Sequence, residues 1–151
     1  MGIRKSFFVS EGMRSNLISM KEVVLTIAKV AFYLYAFLWT IKPKNANSMS
    51  DVLELFYLEF LKVDRREIEV VKLAEDELIT RCKNPCPILR LSELLSVDAR
   101  HACRKVSEPV CKYVLGKMNP NLAFERNYGW IRPFKGSCEE RIYLKKEKSK
   151  E

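Results

Sequence analysis

Residues 67–82, EIEVVKLAEDELITRC, decide the fold class, because here the apolar period changes from that of a helix to that of a strand. Ile68, Val70, Val71 and Leu73 have the character of an extended segment, residues 74–76 read as a turn, and residues 78–82 as a returning strand. The spacing predicts two short antiparallel strands. The chain before them is helical in pattern, and the chain after them alternates short helices with strands. Together these predict a single α+β domain, with a helical part over 1–66, a cysteine-containing α+β part over 67–145 and a solvated tail over 146–151.

Upstream lie two predicted helices. Residues 1–16 read as an extended start, with Ser15 or Asn16 as a cap for a helix over 17–41 (LISMKEVVLTIAKVAFYLYAFLWTI). From Val23 to Ile41 its only charge is Lys29, and the run is near the length of a membrane span. A buried or dimer-shared helix and a membrane anchor both satisfy this pattern. Lys29 weighs against the anchor, since a charge at the bilayer centre costs about 2.5 kcal/mol or more. Pro43 ends the helix, and Ser50 or Asp51 is expected to cap a second one, with Leu53, Phe56, Tyr57 and Phe60 on its core face.

Downstream, Pro87 suits the first turn of a helix, PILRLSELL, and Asp98 caps the next, ARHACRKV. Pro109 predicts a new segment capped by Ser107, and Gly116 a stop. Leu122, Phe124 and Arg126 alternate on a strand. In the last strand Cys138, Glu140, Ile142 and Leu144 share one face.

The 151 residues suit one globular domain with a real core. The net charge of +8 is uneven: +5 over 1–50, −5 over 51–80 and +8 over 81–151. The acidic middle argues against a continuous nucleic-acid surface, while the basic last half suits an anion. The apolar run starts too far in for a secretory signal, so the reducing cytosol is the expected compartment. Glutamine is absent and Lys, Arg and Glu abound, which leans towards a thermophile of the archaeal kind.

All five cysteines (Cys82, Cys86, Cys103, Cys111 and Cys138) and the sole histidine, His101, lie within 82–138. Three chemistries are open to them. Cys82 and Cys86 form a C-x3-C pair which, with Cys138 and one of Cys103, Cys111 or His101, would make a four-coordinate zinc site. Cys86, just before a helix, would be a nucleophile favoured by the helix dipole, with His101 as its imidazole. The bland alternative is that the thiols pack as small core residues. In RNYGWIRPFK (126–135), Arg126 or Arg132 would pair with a ligand carboxylate and Trp130 would stack a ring. The alternative there is a hairpin whose aromatic residues simply pack.

A strand leading into Asn84-Pro85-Cys86-Pro87, a cysteine-bearing helix, Asn119 to Phe124, and Gly136 shortly before Cys138 on the last strand make a recurring order. Over residues 67–145 it resembles the family named for L-2-amino-thiazoline-4-carboxylic acid hydrolase. More distantly it is similar to 4-vinyl reductase-type small-molecule-binding domains. The resemblance implies helices packed on an antiparallel sheet, often dimeric, with a small-molecule pocket between them. It also implies opening of a sulfur-containing ring by an activated water or thiol, with an anchor for the substrate carboxylate. Cys86 and Cys138 match the family pattern, with Cys103 or Cys111 beside them. Ser137 stands where an acidic residue tends to follow the glycine. The combined expectation is an anion-binding domain whose cysteines line or stabilise a pocket.

Overall fold

The computed structural model describes residues 6–146. Helix α1 (Ser6–Thr40) is followed by α2 (Met49–Val52), which runs on in π geometry over Leu53–Phe60. A short 3-10 turn, Arg65–Glu67, leads into strands β1 (Ile68–Leu73) and β2 (Glu77–Cys82). Helix α3 (Pro87–Leu95) comes next. Then α4 (Ala99–Ala102), a π turn (Cys103–Ser107) and α5 (Glu108–Met118) form one continuous rod. Strands β3 (Leu122–Arg126) and β4 (Cys138–Leu144) complete an antiparallel sheet of order β1-β2-β4-β3. The fold is α+β, as the period change at 67–82 predicts.

The helices lie on the face of the sheet that the alternating apolar positions mark. Leu78, Phe124 and Ile142 are buried there against Phe56, Tyr57, Val110 and Val114. Leu78 pairs with Ile142, and Ile142 with Phe124, so one apolar row crosses three strands. A smaller cluster joins Leu25 of α1 to Ala102 and Val106, with Ile88 and Leu91 of α3 beside them. The Tyr35 hydroxyl donates to the Phe60 carbonyl at 2.7 Å, and Phe60 stacks on Phe32 with ring centroids 5.7 Å apart, which ties α1 to the end of α2.

Several boundaries differ from the sequence expectation. Helix α1 begins at Ser6, and Ser15 sits inside it with its hydroxyl on the Gly12 carbonyl, so neither Ser15 nor Asn16 caps anything. The cap of α2 is Ser48: its side chain accepts from the Asp51 amide while the Asp51 carboxylate accepts from the Ser48 amide, a reciprocal capping box. Ser107 does not start a separate helix. Pro109 has no N–H for the ladder, and the turn before it opens to π geometry, so the rod passes the proline and also Gly116 before ending at Asn119. The Pro87 start and the Asp98 cap stand as predicted. The first five residues and 147–151, which hold most of the expected tail, lie outside the described residues.

A cysteine-lined cavity as the candidate site

Between α1, the π stretch of α2, the start of α3 and the inner face of the sheet lies a cavity of about 760 Å³. All five cysteines line it. They arrive from four places: Cys82 from the end of β2, Cys86 from the residue before α3, Cys103 and Cys111 from the rod, and Cys138 from the start of β4. All five are free thiols, and Cys82 stands directly opposite Cys138 in the β2–β4 register.

One wall of the cavity is a buried polar network. Thr80, Glu140 and Arg126 form a row across β2, β4 and β3. The Glu140 Oε1 accepts from Arg126 Nη2 at 2.5 Å and from Nε at 3.1 Å, with both side chains under a tenth exposed. The Tyr57 hydroxyl donates to Glu140 Oε2 at 3.0 Å and accepts from Thr80 at 2.8 Å. Arg126 Nη1 donates to the Ser107 hydroxyl at 2.7 Å. None of these side-chain atoms is left without a partner. Burial works against the Arg126 charge, but the adjoining Glu140 carboxylate wins and holds its pKa well above the ordinary value. Burial, reinforced by Glu140, keeps the Tyr57 phenol protonated.

Arg132, beside Cys138 at the start of β4, has different surroundings. Arg132 donates from Nη1 to the Asn84 carbonyl at 2.7 Å and from Nε towards the Cys138 sulfur at 3.4 Å. Among the described residues no carboxylate pairs with it. Lys62, on the rim where α2 ends in a left-handed residue (φ 55°), is likewise without a carboxylate partner among the described residues. Much of the remaining lining is apolar and aromatic, with Phe32, Phe60, Val63 and Leu91.

Three of the site assignments made from sequence are corrected. His101 is not beside Cys86. It lies on α4, half-exposed, and reaches α1, with Nε2 at 2.7 Å from Glu22 Oε1, and Glu22 also pairs with Lys105. The hydrogen bonds from Lys105 and His101 lower the Glu22 pKa. The expected Cys86–His101 pair is therefore not assembled. Trp130 does not line the cavity: it lies between Arg81 (4.2 Å to the ring centroid) and Lys135 (5.3 Å), and its indole N–H donates to the buried Ser137 hydroxyl at 2.9 Å. Cys82, Cys86 and Cys138 share the cavity without converging. Among the described residues no three His, Cys, Asp or Glu side chains lie together as metal ligands, so the zinc set does not fit. Burial also pushes the Cys82 and Cys111 thiols up to about 12 and raises Cys103, which is core-like behaviour.

Arg126 and Arg132 both reach the cavity, as does Cys138. Glu140, Tyr57, Thr80 and Ser107 were not singled out from sequence as site residues. A signal for Glu140 was present, since it falls between Cys138 and Ile142 on the inward face of β4, a position where a lone carboxylate demands a partner.

No protein-family model matches the chain, and neither a curated protein nor a solved structure matches it significantly.

Proposed function

We propose that the protein binds a small anionic molecule with an apolar body in this cavity. The observation that carries the proposal is Arg132, a cation on the wall of a largely apolar chamber with no carboxylate paired to it among the described residues. A bound carboxylate would complete that charge in bidentate fashion, and the aromatic and aliphatic lining would take its body. The resemblance to the thiazoline-carboxylate hydrolase type points to the same ligand class.

The test is calorimetric titration with 1-naphthoate and its neutral counterpart 1-naphthamide. Naphthoate should bind the wild type at least tenfold more tightly than the amide, and Arg132→Gln should erase that preference. Equal affinity for both probes, or a preference that survives in Arg132→Gln, would overturn the reading.

A hydrolase is the second reading, favoured by Cys86, which lines the cavity as the N-cap residue of α3 with no side-chain capping bond. Turnover of a cyclic thiazoline carboxylate that Cys86→Ser abolishes would establish it. Unchanged turnover would remove Cys86 from the chemistry.

A further inference from the structure

Helix α1 is long and apolar enough to cross a membrane over Gly12–Thr40, yet it has two apolar sides and the domain uses one of them. Leu25, Phe32, Ala36 and Trp39 face inward and pack on the rest of the chain. On the other side Met20, Val23, Ile27, Val30, Leu34 and Phe37 follow one another at steps of three, four, three, four and three residues, and Ile41 continues the row. Every member is 54–65% exposed. This alternation is the a/d seam of a coiled coil, three heptads long and about 32 Å from end to end at 1.5 Å per residue.

We propose that this seam pairs with the same seam of a second copy of the chain. The flanking positions favour a copy over a different protein. Ser19, Val24, Thr26, Ala31, Tyr33 and Leu38 occupy the places where coiled coils carry the charges that select a partner, and none of them is charged. A helix with neutral flanks meets its own image without setting like charge against like, as a two-fold interface requires. The exposed seam with Val24 and Leu38 beside it would bury on the order of 1,000 Å² across two copies, the lower range for a specific interface.

Lipid fits less well. The inner side of the same helix is packed against Phe60 and Tyr113, and Glu22 is ion-paired with Lys105 and His101 across to the rod. A bilayer about 30 Å thick that took in the seam would have to take in that packed, charged domain as well. Ala31 belongs both to the exposed flank and to the cavity lining, so the partner helix would lie along one rim of the chamber. The proposal rests on α1 alone and does not depend on the ligand reading.

The experiment is sedimentation equilibrium of the full chain in detergent-free buffer at 0.15 M salt. A parallel flotation assay uses phosphatidylcholine–phosphatidylglycerol vesicles. The expected mass is twice the 17.6 kDa protomer, with no flotation. Val30→Glu with Leu34→Glu, both at exposed positions, should raise the dimer dissociation constant at least 100-fold with an unchanged circular dichroism spectrum. A monomeric wild type at 100 µM would overturn the proposal whatever the variant does. So would a dimer that survives the double substitution, or wild-type protein that floats with the vesicles or stays in solution only with detergent.

Discussion

Arg126 and Arg132 line the same cavity, and the difference between their surroundings separates architecture from recognition. Arg126 is sealed into a row with Glu140, Ser107, Tyr57 and Thr80 in which every side-chain atom has a partner. Its charge is consumed by the protein. Arg132 is held by a backbone carbonyl and a thiol, and its charge remains available. A guanidinium at a pocket wall is therefore not by itself an anion site; what stands opposite it decides.

The comparison breaks first at Glu140. Glu140→Ala leaves the Arg126 charge buried and unpaired, and should cost about 3–5 kcal/mol by urea denaturation. Replacing both members, Arg126→Met with Glu140→Leu, should recover most of that loss, because the buried charges vanish together. A single variant as stable as the wild type would show that the row is not structural.

Alkali should strain the buried thiols next. Burial raises the Cys82 and Cys111 thiols from 9.0 to about 12. Between those values the unfolded chain has lost the two protons and the folded chain still holds them. The unfolded state then binds fewer protons, so stability falls as pH rises from 9 towards 12. Each thiol should contribute on the order of 1 kcal/mol per pH unit. Urea midpoints at pH 8, 9 and 10 measure the slope, and Cys111→Ala should flatten it by one thiol's share, with Cys82 and the also-raised Cys103 supplying the rest.

At Arg132 the effects on stability are small. Arg132→Gln removes a charge with no ion partner, so it should change stability by about 1 kcal/mol or less, even as it removes the preference for naphthoate. A large loss would make Arg132 a second structural arginine and collapse the contrast. The smallest effect lies outside the cavity. Ser96 ends α3 in the left-handed region at φ 50°, and Ser96→Gly should raise stability by about 0.5–1 kcal/mol.

What the sequence revealed was what local patterns encode. The strand pair at 67–82, the Pro87 start, the Asp98 cap and the inward row of the last strand each follow from a few neighbouring residues, and each is present. Convergence was out of reach. Nothing in the spacing of Cys86 and His101 says that a helix turns one into the cavity and the other towards Glu22, 79 residues away. Trp130 was misassigned for the same reason, since its neighbours Arg81 and Lys135 come from opposite directions along the chain. The unbroken rod through Pro109 was missed because a proline is read against α geometry, and this rod leaves α geometry just before it.

The two stretches of π geometry, Leu53–Phe60 and Cys103–Ser107, both border the cavity through Tyr57, Phe60, Cys103 and Ser107. A π turn holds more residues than an α turn, so dropping one residue there would let the helix tighten. The residues beyond it would keep their faces, because the tightened turn is α-helical again. Each stretch thus lies next to a well-anchored helix start, the Ser48 box in one case and the Asp98 cap in the other. In a lineage of such chains these are the places where a one-residue insertion or deletion would exchange which side chains line the cavity while the scaffold stays put. The lining of the cavity can change by length as readily as by substitution.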